Sequence, residues 1–207
     1  MKPIKKPSFD KELKLLDSNI FAFGIDEVGR GSFAGPIVAA AVCFKKEFTW
    51  FKDINDSKLL TSGKRKYLSK LILKHGVCFI EIVDIKIINE FGIGEANRLI
   101  FENLVNKIKK IHKNEDIYFL IDGGKKKINY KNIEFIIKGD QKHISISSAS
   151  VIAKVYRDEL MEKLGKKYKG YDFSNNKGYG TKFHRSAIKK LGLSEIHRVS
   201  FDLQKYV

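Results

Sequence analysis

The sequence predicts an α/β fold, a mixed five-stranded sheet flanked by helices, and three observations lead to it. Five short apolar runs rich in β-favouring residues lie at residues 20–26, 37–44, 77–84, 117–121 and 133–137. Longer stretches with apolar residues near helical spacing separate or follow them. The resulting order, β-β-α-β-α-β-β-α, interleaves strands with helices and so points to a sheet covered by helices.

Residues 1–18 are charged and weakly patterned, and read as a short helix or a loose arm. The first strand, 20–26, runs into a turn, Gly29-Arg30-Gly31-Ser32. The second, 37–44, is a continuous apolar run, as expected of a fully buried strand beside the first. Asn55-Asp56-Ser57-Lys58 is turn-like, and Ser62 is the expected N-cap of a helix with Tyr67, Leu68, Leu71 and Ile72 on one face. After the third strand, residues 85–94 read as partly helical. Residues 95–111 read as the second clear helix, with Ala96, Leu99, Ile100, Leu104 and Ile108 near helical spacing. The fourth strand ends at Asp122-Gly123-Gly124 and leads into Lys125-Lys126-Lys127. The fifth is followed by Asp140, then by serines leading into a helix over about 147–166. Residues 187–191 form a short helix within a C-terminal helical segment of about 170–207. The chain of 207 residues suits one domain with these two appendages.

Hydrophobic residues make up 43% of the chain, enough for a real core, while 40 Lys and Arg against 24 Asp and Glu leave a formal charge of +16. Such a surplus points to a polyanionic partner, with a merely soluble basic protein as the plainer alternative. Cys43 and Cys78 are too few for a thiolate zinc site and read as small buried hydrophobes. The longest apolar run is too short to cross a bilayer, and the N-terminus lacks a signal-peptide core, so the expectation is a soluble cytoplasmic protein without membrane contact.

Asp26-Glu27 is the sharpest local feature, two acids at the end of an apolar strand just before glycines. Two carboxylates about 4 Å apart repel by roughly 4 kcal/mol at an effective dielectric of 20. Such crowding persists where a divalent cation neutralises it or one acid keeps its proton. Asp122 repeats the pattern, and Asp140 follows a third strand. Acids at several strand ends can converge above a sheet, and oxygen-only ligands suit Mg²⁺ or Mn²⁺. Any one of these acids alone reads more plainly as a turn or cap residue. Neighbours on a regular strand point to opposite faces. The strand is therefore expected to end, twist or bulge at Glu27 if both acids serve one site.

The run Gly24-Ile25-Asp26-Glu27-Val28-Gly29-Arg30-Gly31-Ser32-Phe33-Ala34-Gly35-Pro36 closely resembles the opening signature of the bacterial ribonuclease HII family, the type 2 ribonucleases H. Similar blocks follow in order: 55–58, 121–123, 138–142, 149–154 with Arg157-Asp158, 177–182 and 196–201. The resemblance implies the ribonuclease H-like fold, with the catalytic acids of the family falling on Asp26, Glu27, Asp122 and Asp140 as ligands of two Mg²⁺ or Mn²⁺ ions. It implies hydrolysis of the RNA strand of RNA–DNA hybrids and incision 5′ of ribonucleotides embedded in duplex DNA, as in ribonucleotide excision repair. The products would carry 3′-hydroxyl and 5′-phosphate ends, and the enzyme would act as a monomer. Gly29, Arg30 and Gly31 match the loop that reads the ribose 2′-hydroxyl, Tyr179 the tyrosine that packs on the next sugar, and Lys58 a phosphate contact. Taken alone, Tyr179 reads as a half-buried surface aromatic.

Asp158 is a rival fourth acid, read here as part of a structural ion pair. Val28, Ser32-Phe33 and the lysines after Gly124 depart from the family pattern without touching an expected ligand, and the early end after Phe201 is expected to weaken hybrid affinity. Lys107, Lys109, Lys110 and Lys113 read as a solvated helix face, with 125–127 and 166–169 as better phosphate contacts. None of the five histidines reads as a ligand, and His197 and Arg198 read as fixing the C-terminal segment. Two other functions remain open on the residues alone. A non-catalytic nucleic-acid binder fits the charge, and a paired-carboxylate glycan hydrolase fits Asp26-Glu27.

Overall fold

Five strands of a computed structural model, which describes residues 6–207, form one sheet in the order β3-β2-β1-β4-β5. They are β1 (Ile20–Val28), β2 (Ile37–Cys43), β3 (Val77–Val83), β4 (Asp116–Asp122) and β5 (Ile133–Ile136). The sheet is mixed, as expected: β1 runs antiparallel to β2 and parallel to β4. The central strand is Val-, Ile-, Phe- and Ala-rich because both of its faces are covered.

Side-chain alternation divides the core. Phe23, Ile25, Ala39, Ala41, Phe119 and Ile121 face α3 (Ile85–Ile111) and bury Ile100, Phe101 and Leu104 against them. On the other face Ala22, Leu120 and Ile146 meet in one cluster, and Val38, Ala40 and Val42 pack with Leu68, Ile72, Ala149 and Ile152 in another. These last residues come from α2 (Ser62–His75) and α4 (Ile144–Lys167). At Gly24 the backbone of α4 crosses so closely that an added Cβ would lie 2.2 Å from the Ile146 nitrogen.

Several local expectations need correction. The N-cap of α2 is Thr61, whose hydroxyl accepts from the Lys64 N–H at 3.2 Å, one residue before the expected Ser62. Tyr67, expected on the buried face, is 54% exposed, because the buried stripe consists of Leu68 and Ile72. The segment expected to be partly helical joins the following helix as α3, with a break at Gly92 (φ 79°, ψ 162°). The serines expected to lead into α4 lie inside it. Of the N-terminal arm, residues 1–5 lie outside the described residues, and α1 (Asp10–Asp17) is a helix.

Helix α1 has a structural task that its charge disguised. Its Glu12, 1% exposed, accepts from the Ser145 N–H at 2.9 Å and the Ser145 hydroxyl at 2.7 Å. A carboxylate at the first turn of α4 satisfies free amides and opposes the positive end of the helix. The C-terminal elements, α5 (Phe173–Asn176) and α6 (Lys182–Leu191), bury Phe173, Ala187 and Ile188 with Ala34, Met161 and Ile196.

Candidate active site

The parallel pairing of β1 and β4 stops at Ile25 and Ile121, so the next residues, Asp26 and Asp122, stand where the two strands part. Both continue the series of Ala22 and Leu120 toward α4. Glu27 continues the opposite series, toward α3. The expected break at Glu27 does not occur: Glu27 still pairs with Ala39, and Val28 with Val38. The acids share a site because the opening between β1 and β4 is reached from both faces, and Glu27 lies at its rim.

Asp26, Glu27, Asp122 and Asp140 line one cavity of about 440 Å³ together with Ser57, Lys58, Ser150, Lys154 and Tyr179. Asp140 is carried by a 3-10 turn directly after β5. That turn is tied to Asp122, whose Oδ1 accepts from the Gly139 N–H at 2.6 Å. Asp56 joins the Lys58 turn to the same region, accepting from the Lys58 N–H at 2.9 Å and from Gln141 at 3.3 Å. Asp158 lies elsewhere, paired with Lys154 four residues earlier at 2.8 Å.

The electrostatics are strained. Burial pushes the Asp26 carboxyl well above the usual carboxylate range, and the charges of Glu27 and Asp122 push it further, against a hydrogen bond from Ser150. Glu27 is raised by burial and by Asp122, with Lys126 opposing. Asp140 is raised by burial, Asp122 and Asp56, with Lys58 opposing. A divalent cation would remove this repulsion.

The donor set fits Mg²⁺ or Mn²⁺ in its chemistry, four carboxylates bordering one cavity. It is no preformed cage: among the described residues no three His, Cys, Asp or Glu side chains are gathered closely enough to hold a metal as they stand. Mg²⁺ sites commonly take one or two carboxylates plus substrate phosphates, so an open arrangement of this kind suits such an ion.

The loop expected to read the sugar follows β1. Gly29 has φ +94°, and an added Cβ there would lie 2.1 Å from Arg157 Nε. Both the left-handed backbone and the close approach require glycine. Arg30 and Glu27 line a second cavity of about 460 Å³, with Asp122 and Lys125 to Lys127. Gly31 is open on its Cα side.

Two fully buried arginines set this loop. Arg157 donates to the carbonyls of Pro36 (2.9 Å), Ala34 (3.2 Å) and Lys177 (2.8 Å) and to the Ser32 hydroxyl. Arg198 donates to the carbonyls of Gly35 and, at 2.9 Å, Arg30. Arg198 thus ties the C-terminal segment down, as expected. Tyr179 faces the acid cavity with Lys154 Nζ 6.0 Å and Arg157 Cζ 5.6 Å from its ring.

Sequence reasoning missed Ser150 and Lys154 as cavity residues, although both lie in a block that resembled the family. Lys126, expected with its neighbours as a phosphate contact, turns inward: its ammonium donates to the Asp122 carbonyl at 3.2 Å and sits 4.4 Å from the Phe101 ring centre. Lys125 and Lys127 are exposed, as are Lys107, Lys109, Lys110 and Lys113. Burial raises both cysteine thiols to about 12, consistent with inert small side chains, though Cys78 is only half-buried.

The family profile described as ribonuclease HII matches residues 23–204. The chain belongs to the ribonuclease HII family. A ribonuclease HII from Clostridium acetobutylicum is 44% identical over 199 residues, 93% of this chain and 75% of its own length. Membership in ribonuclease HII makes the chain an endoribonuclease. The ribonuclease H-like fold is shared with the ribonuclease H2 from Pyrococcus horikoshii OT3 (TM-score 0.72, 24% identity, 90% of this chain and 97% of that one). It is shared also with Bst-RNase HIII in complex with Mn²⁺ (TM-score 0.70, 22% identity, 91% of this chain and 69% of that one). Among the described residues of this ribonuclease HII family member, no helix is long and apolar enough to cross a membrane.

Proposed function

We propose that the protein hydrolyses the RNA strand of RNA–DNA hybrids and incises duplex DNA 5′ of embedded ribonucleotides, leaving 3′-hydroxyl and 5′-phosphate ends. The observation that carries this reading is one cavity bounded by Asp26, Glu27, Asp122 and Asp140 and by Tyr179, beside the Gly29-Arg30-Gly31 loop. Two Mg²⁺ or Mn²⁺ ions held by the four acids would lower the pKa of an attacking water and neutralise the leaving 3′ oxygen.

The protein's own residues do the rest. Ser150 and the Glu27 N–H, which donates to Asp26 at 2.8 Å, hold the Asp26 carboxylate in one orientation. Gly29, Arg30 and Gly31 let backbone polar groups approach a ribose 2′-hydroxyl, the group that separates RNA from DNA. Tyr179 packs on the adjoining sugar. Lys58, at the rim, meets a phosphate and offsets the charge of Asp140. A glycan hydrolase reading gains nothing from these residues, since a neutral sugar needs neither the cationic rim nor four acids. The same reading makes the protein a cytoplasmic monomer that repairs ribonucleotides in DNA.

The test is a product map on one DNA duplex carrying a single ribonucleotide, with Mg²⁺ or Mn²⁺. A nick on the 5′ side of the ribonucleotide is expected, with none on the all-DNA duplex. Equal cutting of both duplexes, or cutting that persists in chelator, overturns the reading.

A further inference from the structure

Two histidines outside the acid cavity are buried against each other. His184, on α6, is 0% exposed and His197 is 1% exposed, with their Nε2 atoms 3.1 Å apart. Their partners assign every ring proton. The Ser194 backbone N–H can only donate, so His197 Nδ1, 2.8 Å away, is an acceptor; the Ser194 carbonyl, 3.3 Å from the same nitrogen, is the longer contact. His197 therefore carries its proton on Nε2 and donates to His184 Nε2. His184 in turn carries its proton on Nδ1 and donates to the Tyr179 carbonyl at 2.9 Å. The chain of bonds runs one way, from Ser194 through both imidazoles to Tyr179, and requires both rings neutral.

The surroundings keep them so. Phe33, Tyr171 and Phe173 pack around the rings. The charged neighbours along the chain, Arg185 and Arg198, turn to the carbonyls of Gly180 and Gly35. Burial lowers both histidines, and His197 falls to about 4.

The pair also joins the two parts of the sugar-reading region. On one side His184 holds the Tyr179 carbonyl, which accepts from the Thr181 N–H as well. On the other, His197 is bridged to Ala34, and the next residue, Arg198, holds the Arg30 carbonyl of the glycine loop. We propose that His184 and His197 are positioning residues: a directed imidazole relay that sets Tyr179 against the Gly29–Gly31 loop and thereby the preference for a lone ribonucleotide. This rests on the proposed function above. The relay touches none of the four acids, so it acts on sugar recognition and leaves the hydrolytic step alone.

The experiment compares kcat/KM on a duplex with one ribonucleotide against a long RNA–DNA hybrid. H184N keeps a donor to the Tyr179 carbonyl but gives up the Nε2 acceptor that His197 uses, so it retains more of the wild-type ratio than H184Q does. H184Q places its amide at the Nε2 position and leaves the Tyr179 carbonyl with the Thr181 N–H as its one remaining donor. The ratio then falls about tenfold, the worth of one hydrogen bond, with hybrid cleavage little changed. Equal losses on both substrates, or H184N and H184Q behaving alike, overturn the proposal. A wild-type protein that cleaves neither substrate overturns the functional reading and the relay with it. Should H184Q not fold, nitrogen-15 spectra of the wild-type imidazoles decide. Protonation of His184 on Nδ1 and His197 on Nε2 supports the relay, and protonation of His184 on Nε2 overturns it.

Discussion

Asp26 shows how a residue proposed to hold metal is disfavoured by its own fold. Its carboxyl is raised above its unfolded value. Between those two values the folded chain holds a proton that the unfolded chain has released, so stability falls as pH rises through the window. An isosteric amide removes that cost and still accepts from the Glu27 N–H. Asp26→Asn is therefore expected to raise the melting temperature of the metal-free protein at pH 7.5. It is also expected to lose at least about a hundredfold in cleavage. Calorimetry with and without Mn²⁺ checks both halves: the wild type is stabilised by the ion through mass action and the variant much less. A variant that melts lower in chelator would contradict the account.

His197 has the opposite dependence. Its folded value, about 4, lies below the ordinary 6.5, so the unfolded chain binds the extra proton between them and stability rises with pH across that window. Unfolding at pH 5 is expected to take up close to one more proton in the wild type than in H197Q, measurable by unfolding the two in different buffers. The four acids were legible from their place at strand ends. Their partners were less so: Ser150 and Arg157 reach the site from a helix whose apposition no local pattern records, while Lys126, only four residues after Asp122, reads from the sequence as a phosphate contact and not as a neighbour of the acids.

At the scale of elements, the five strands along the chain followed from apolar runs, and the mixed sheet from their alternation with helices. One misread place has a clear cause: Ser145, expected in the lead-in to α4, serves a distant element and looks like loop. Ser145, Ser147 and Ser150 lie inside α4, where Glu12, the Asn55 carbonyl and Ser57 satisfy them across at least 90 residues of sequence. Their small size is what lets α4 lie on β1 at Gly24. Gly24→Ala would drive a Cβ into the backbone at Ser145 and Ile146, which cannot move without shifting the helix that carries Ser150. A loss of about 3 kcal/mol is expected, at the upper end of overpacking costs. Urea unfolding checks it: the midpoint falls while the slope is unchanged, and a midpoint within error of the wild type would mean that α4 is not held this closely.

The whole molecule carries +16, yet its site is a concentration of buried acid, and the two facts are compatible only if the cations surround the acids. Arg30, Lys125 and Lys127 border the cavity on the α3 side of the sheet, and Lys58 the cavity on the α4 side. On the proposed function, a duplex laid across the opening between β1 and β4 would meet these four on its phosphates while its sugar approached the glycine loop. Four neutralised phosphates give a slope of about −3.6 in log affinity against log salt. Affinity for a hybrid should then fall by about a hundredfold between 50 and 200 mM salt. Fluorescence anisotropy in Ca²⁺ or chelator, where cleavage is suppressed, measures that slope. The double variant Lys125→Ala, Lys127→Ala is expected to make it shallower by about two, with single-ribonucleotide selectivity retained because neither lysine reaches the sugar. A slope that survives the double variant would move the nucleic-acid path off this rim and onto the exposed lysines of α3 or of the α4 C-terminus.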